Sequence, residues 1–216
     1  MLLPLFPLST VLVPGLVLPL HVFEPRYRAL VADLTSEGDP DAELGVVAIR
    51  QGVEVGGDAP PSTYEVGCTA RLRQVTEHPD GRYDLVTTGT RRFRLLGLAD
   101  TGTPYLTGRV ELLEEPDGDD VDLPDLARQV GLELAAYRQA VGLAQSGLPS
   151  SPRVLSYLVA AVVVLDLADR QGLLEQPDTA RRLLAERSLL RRERRLVEAL
   201  GAVPAPRLTQ SPASPS

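Results

Sequence analysis

Leu3–Arg28, LPLFPLSTVLVPGLVLPLHVFEPRYR, is the stretch from which the fold is read. Five prolines (Pro4, Pro7, Pro14, Pro19 and Pro25) interrupt a run that is otherwise almost wholly apolar. An interior proline removes a helical hydrogen bond and clashes with the carbonyl one turn back, so this spacing excludes a helix. Short extended segments tolerate it, with the prolines at strand starts, edges or bulges. Pro14-Gly15 predicts a tight turn, in which proline sets the first corner and glycine supplies positive φ at the second. The chain is therefore expected to begin with two or three short, buried β-segments. Its first positive side chain is Arg26, so the run lacks the basic region that opens an export signal. The prolines also break any window long enough to span a bilayer. The expectation is a cytoplasmic protein without a membrane segment.

Composition narrows the chemistry. The 216 residues, 44% hydrophobic and 24% charged, suffice for one large domain or two modest ones. A single cysteine, Cys68, excludes an internal disulfide and a cysteine-based zinc cluster. With only His21 and His78, no multi-histidine metal site and no bound cofactor is expected. Cys68, on an apolar strand position, reads as a small buried hydrophobe. All 22 basic residues are arginine; lysine and asparagine are absent and Ile49 is the sole isoleucine, a bias that a GC-rich genome produces. Without lysine there is no Schiff-base amine, no Walker-type phosphate ligand and no Ser–Lys dyad. A net charge of −7 opposes a general nucleic-acid role. The charge is uneven: Glu111–Asp125 holds eight acids and no base, and Arg181–Arg195 holds seven arginines against two glutamates.

Further along, Glu24-Pro25-Arg26-Tyr27 marks a helix start, with Tyr27, Leu30, Val31 and Leu34 at helical spacing and loop residues from Ser36 to Pro40. Leu44–Ile49 reads as a buried strand and Gln51–Ser62 as an exposed loop. Cys68, Ala70 and Leu72 alternate with Thr69, Arg71 and Arg73, and Val75 breaks phase, which predicts a bulge. His78–Arg82 is a hairpin loop. Later strands carry Phe93 and Leu95 inward with Arg92 and Arg94 outward, then Leu106, Gly108, Val110 and Leu112 against Thr107, Arg109 and Glu111. Short strands with turn signals predict a closed or nearly closed antiparallel sheet. Past the acidic loop the period turns helical. Leu126–Val141 is a helix, Gln145–Pro152 a linker, and Val154–Ala168, apolar almost all round, is expected as a buried central helix. Thr179–Leu200 repeats Leu183, Leu190 and Val197 every seven residues, a long amphipathic helix with an arginine-rich outer face. The proline- and serine-rich 204–216 is expected to be a disordered tail.

Three pieces, in this order and spacing, resemble one known family. The opening stretch is similar to the start of the Lon protease N-terminal, substrate-recognition domain. So is Val66–Leu98, in which Val66-Gly67, Pro79-Asp80-Gly81 and Gly89-Thr90-Arg91-Arg92 fall in the family's order. Leu167–Leu184 resembles its helical part, so the likeness covers about residues 2 to 200. The resemblance implies an α+β fold: a PUA-like antiparallel β-barrel or sheet over residues 1–116, with one helix near 25–36, then a helical subdomain over 122–203 ending in one long helix. Full-length Lon continues into an ATPase and a Ser–Lys peptidase module. A chain without lysine departs from both, and the expectation is a stand-alone, non-catalytic domain.

No catalytic constellation is legible. Ser146, Ser150 and Ser151 lack the strand–turn–helix setting of a nucleophile elbow. His78 reads as a solvated turn residue and His21 as a hydrogen-bonded core or edge histidine. The acids of Glu111–Asp125 read as a solvated loop. The leading expectation, as the resemblance implies, is a module that binds polypeptide, an adaptor or recruiter of unfolded or acidic chains. An incompletely closed sheet would offer backbone groups to an extended peptide. A cleft between sheet and bundle would supply apolar contacts, and the last helix an arginine face for an acidic partner or for self-association. The protein-binding residues expected are Phe23, Arg26 and Tyr27 at the first helix start and Arg187, Arg191 and Arg194 on the last helix. RNA binding ranks below, because Arg71, Arg73, Arg92, Arg94 and Arg109 would make a basic sheet face without stacking aromatics. A hydrolase of unrecognised type ranks lower still.

Overall fold

A computed structural model describes residues 1–36, 38, 41–51, 62–119 and 121–200. Most of the loop expected over 51–62 and all of the tail expected from 204 onward lie outside the described residues, as do Glu37, Asp39, Pro40 and Asp120. The opening stretch forms β1 (Leu2–Leu8) and β2 (Val17–Val22), followed by α1 (Pro25–Ser36). Then come β3 (Glu43–Gln51), β4 (Ser62–Thr63), β5 (Val66–Glu77), β6 (Tyr83–Ala99) and β7 (Thr107–Leu112).

The sheet closes on itself. Its order is β1–β7–β6–β5–β3, and β3 returns to β1 through the pairs Leu5↔Gly45 to Leu8↔Ala48. That last pairing is parallel, made by the crossover through α1, whereas the other pairs of the ring are antiparallel. The sheet is thus the closed form of the closed or nearly closed sheet expected from sequence, and the open edge invoked there for an extended peptide is corrected, since β1 has a partner on each side. Alternate residues of the ring are buried on opposite faces. Leu3, Leu5, Val47, Phe93 and Val110 form one cluster. Phe6, Val46 and Cys68 belong to another with Tyr27, Leu30 and Val31 of α1. Burial on both faces explains the unbroken apolar run of Leu44–Ile49.

The Pro14-Gly15 turn forms as expected, with Gly15 at φ +83° and the Leu16 N–H donating to the Val13 carbonyl at 3.1 Å. It docks on β6: the Gly15 N–H donates to the Gly89 carbonyl at 2.8 Å, and the Gly89 N–H to that of Leu16 at 2.9 Å. So close an approach needs a glycine, since a Cβ at Gly89 would lie 2.3 Å from the Val13 carbonyl oxygen. The bulge expected near Val75 is one of two register shifts in β5, at Leu72/Gln74 and at Cys68/Ala70. Two residues expected to face outward are buried, Thr69 and Arg92. Thr69 shares the barrel face of Gly45 and Leu5, with its hydroxyl 2.5 Å from that of Thr90, whereas Arg92 is covered by the later helical segment at Leu174, a second layer that alternation along a strand cannot report. The basic sheet face proposed for RNA therefore loses Arg92, and Arg71 is paired with Asp41 and Glu43.

Four helices follow, α2 (Leu123–Ala140), α3 (Pro152–Val162), α4 (Leu167–Leu174) and α5 (Thr179–Leu200). Their starts carry local signals: the Asp122, Ser151 and Asp166 side chains accept from the N–H three residues on, and Pro124 and Pro152 sit in first turns. The single helix expected over Val154–Ala168 is two. Val162-Val163-Val164 is a β-branched run with low helical preference, Val163 is extended at φ −81°, ψ 136°, and Asp166 caps a new helix by accepting from the Asp169 N–H at 2.7 Å. The central place in the bundle goes to α5, whose Leu183 and Leu190 are fully buried with Val130 and Leu134 of α2. Among the described residues no helix is long and apolar enough to cross a membrane.

Two glycines test this packing. Gly89→Ala is expected to cost about 1–3 kcal/mol through overpacking against a backbone that cannot yield. Gly172→Ala, in α4 where a Cβ would meet nothing within 4 Å, should instead stabilise by about 0.5–1 kcal/mol. Chemical denaturation of both variants reads the contrast; equal effects would refute the close docking of the turn.

Candidate functional site

Barrel and bundle meet at one carboxylate. Glu115 follows β7, and its Oε1 accepts from Arg92 Nε at 2.5 Å and from the Tyr157 hydroxyl at 2.6 Å. Its Oε2 accepts from the Arg182 guanidinium at 3.4 Å. Arg92 comes from β6, Tyr157 from α3 and Arg182 from α5, so one side chain ties two helices to the barrel. Both arginines are buried, and their remaining donors go largely to the end of α4. Arg92 donates to the carbonyls of Leu174 at 2.8 Å and Gln176 at 2.5 Å, and Arg182 to that of Leu173 at 3.2 Å. The last carbonyls of a helix lack intrahelical partners and carry the negative end of its dipole, so two guanidinium groups are apt caps. Arg182 also stacks over the Tyr157 ring at 4.1 Å. Gln171 of α4 adds a further tie, donating to the Val66 carbonyl at 2.9 Å.

Beside this cluster lies a groove of ≈ 590 Å³. One wall is the Pro14-Gly15-Leu16 turn with Thr90 and Arg91 of β6; the other is the α3 face carrying Arg153, Val154, Tyr157, Leu158, Ala161 and Val162; Glu115 lines it as well. The α3 positions recur at one-turn spacing, which places them on one side of the helix. The opposite side, Leu155, Val159 and Val163, packs into the bundle with Leu183 and Leu190. The segment reads as apolar all round because it has two apolar faces, one packed in the bundle and the other divided between contact with the barrel at Tyr157 and Ala161 and the groove at Val154 and Leu158. Val154, expected to be buried, is 53% exposed.

Burial sets the electrostatics. It pushes the Tyr157 phenol up, and the hydrogen bond to Glu115 adds to the effect. Burial also pushes the Cys68 thiol up, which leaves it inert, as the buried-hydrophobe reading expects. One turn beyond Arg182, Glu186 is fully buried, and neither carboxyl oxygen has a hydrogen-bond partner among the described residues. Desolvation pushes its carboxyl well above the ordinary 4.5, with Arg182 pulling partly back.

None of the six residues expected to bind protein lines this groove. Tyr27 is buried, stacked on Phe6 at 4.1 Å. Arg26 lies over the Tyr27 ring at 4.7 Å and pairs with Glu24 at 2.9 Å. Phe23 is exposed at the end of β2. The α5 arginines are already engaged: Arg187 donates to Gln129 of α2 at 2.5 Å, Arg191 pairs with Glu133 of α2 at 2.6 Å, and Arg194 pairs with Glu198 on its own helix at 2.8 Å and lies 3.9 Å from Glu133. The two histidines converge instead on Asp84, His21 Nδ1 and His78 Nε2 each lying 2.6 Å from one of its oxygens. Among the described residues no group of three or more His, Cys, Asp or Glu side chains could hold a metal ion. Sequence reasoning missed Glu115, taken as one more solvated acid, and Arg92. The available signal was the proximity of Glu114-Glu115 to the end of an apolar strand, where a chain leaving a barrel is still half covered.

Known proteins align with this architecture. A family profile described as the ATP-dependent protease La (LON) substrate-binding domain matches residues 2–192. Lon protease 2 of Myxococcus xanthus is 31% identical over 205 residues, 91% of this chain and 24% of that protein. Lon protease of Escherichia coli K12 is 31% identical over 196 residues, 83% of this chain and 23% of its own length. The chain thus spans about a quarter of the curated relatives it matches. Among solved structures, the Lon N-terminal domain protein from Xanthomonas campestris superposes with a TM-score of 0.63 at 29% identity, covering 88% of this chain and 98% of that one. The N-terminal domain of Mycobacterium avium complex Lon protease has the same TM-score at 20% identity and shares the fold.

Glu186 supplies a pH test. A carboxyl held protonated in the fold binds a proton that the unfolded chain releases above about pH 4.5, so stability is expected to fall as pH rises from there. Glu186→Gln keeps the shape without the charge. It should be more stable than the parent near neutral pH and equal to it at about pH 4 in denaturant melts. Parallel stability–pH curves would contradict the assignment.

Proposed function

This chain belongs to the Lon substrate-binding domain family, and on that premise we propose that it binds unfolded polypeptide, without catalysis, in the groove between the barrel and α3. The observation that carries the reading is the second apolar face of α3, where Val154 is exposed, Leu158 belongs to neither core cluster, and both line the groove opposite the turn at Pro14-Gly15-Leu16. Apolar surface that a fold could have buried and does not is the usual mark of a binding site. The 1–116 portion, under this reading, supplies the rigid wall and the 122–203 portion the helix that receives the ligand. Phe23 and the arginines Arg187, Arg191 and Arg194 serve as peripheral contacts in the same reading. Each of those arginines must exchange an existing partner to do so, which assigns the main affinity to the groove. A role in recruiting chains for degradation follows by kinship with proteins named Lon protease.

Leu158→Asp places a charge among the apolar lining without disturbing the core. Titrated against fluorescein-labelled, reduced and carboxymethylated lactalbumin, it should bind about tenfold or more weakly than the parent. The parent is also expected to show no ATP hydrolysis and no cleavage of that probe. Equal affinity of a folded Leu158→Asp variant would refute the groove as the site.

A further inference from the structure

Resting on the groove reading above, we propose that this groove selects polypeptide segments in which an apolar side chain stands next to an acidic one. The middle of the groove is apolar, formed by Leu16, Val154, Leu158 and Val162, and its two walls each carry a guanidinium group, Arg91 on β6 and Arg153 on α3. Both are well exposed, at 57% and 45% of the side chain. Each has one weakly held carboxylate nearby: Arg91 lies 3.9 Å from Glu43, whose carboxylate already accepts from Arg71 and Thr90, and Arg153 lies 3.2 Å from the exposed Asp117. Surface pairs of this kind hold their partners weakly, so either arginine can turn to a ligand.

The one acid in the lining, Glu115, does not cancel them. Its two oxygens already accept from Arg92, Tyr157 and Arg182. With two buried guanidinium groups behind it, that carboxylate is over-neutralised, and the groove is locally positive in a chain whose net charge is −7. An acidic segment is therefore repelled by much of the surface and drawn to this one cleft, where its apolar neighbour finds the α3 face. A basic segment meets the reverse. Complementary potential of this kind contributes selectivity and rate of encounter more than raw affinity, so the occupant is recognised by a combination of residue types rather than by an exact sequence.

Three short fluorescein peptides that share an apolar core and end in Asp-Asp, Asn-Asn or Lys-Lys test this by anisotropy. At low salt the Asp peptide should bind about five- to tenfold more tightly than the Asn peptide, with Lys weakest, and the gap should shrink at about 0.5 M salt. Combined Arg91→Gln and Arg153→Gln should bring the Asp and Asn affinities together, the Asp peptide losing several-fold more than the Asn peptide. Equal binding of Asp and Asn peptides to the parent overturns the acid preference, and the groove reading then survives if Leu158→Asp still weakens both. A preference that persists in the double variant also overturns it, by locating the charge elsewhere. If no peptide binds, the groove reading itself falls. Light scattering that finds a dimer dispersed by Leu158→Asp would seat a second copy in the groove and overturn the proposal as well.

Discussion

Two buried arginines share one carboxylate, and the arrangement of the rest of the chain depends on it. Arg92, Arg182 and Glu115 come from a strand, a helix and a loop that are otherwise in separate layers. Buried ion pairs are often no better than apolar packing when the whole group is exchanged, yet removing one member leaves the others charged and dry. That asymmetry makes the cluster a latch. It specifies how the bundle sits on the barrel more than it adds to the total stability. The carbonyls of Leu173, Leu174 and Gln176 complete the donors' shells, so the end of α4 is held in place by the same two side chains.

The groove is a by-product of that latch. Tyr157 reaches Glu115 only if the α3 face beside it looks toward the barrel, and the same face presents Val154, Leu158, Ala161 and Val162. The opposite wall is set independently by the docking of Gly15 and Leu16 on Gly89. A rigid turn on one side and a latched helix on the other give a preformed cleft, which lowers the ordering cost of binding an extended chain. The positive character proposed for the cleft would have the same source, since the arginines that hold the layers together bond the acid in its lining, Glu115.

Local chemistry made much of this legible in advance. The prolines of Leu3–Arg28 excluded a helix, Pro14-Gly15 marked its turn, and Glu24-Pro25 marked the start of α1; each signal lies within a few residues of what it predicts. What could not be read depended on partners far along the chain. Closure of the barrel rests on β1 finding β3 across some forty residues. Arg92 looked solvent-facing because it alternates with Phe93, and the α4–α5 layer that covers it begins more than seventy residues later. The break at Val163 was masked by hydrophobicity, which does not distinguish a valine run ending a helix from one continuing it. The groove was anticipated only as a cleft between sheet and bundle. Its residues were not, because an apolar α3 face that stays outside the core has the same composition as one inside it.

The latch is tested most directly by urea unfolding of Glu115→Ala, followed at once by far-UV circular dichroism for the helices and by thiol-reagent labelling of Cys68 for the barrel. Cys68 is fully buried and burial pushes its thiol up, so its labelling is expected to report loss of the barrel core. In the parent the two signals should coincide in one transition. In Glu115→Ala the account predicts a loss of about 3–5 kcal/mol and helical melting ahead of Cys68 exposure. Coincident transitions with stability within about 0.5 kcal/mol of the parent would contradict it.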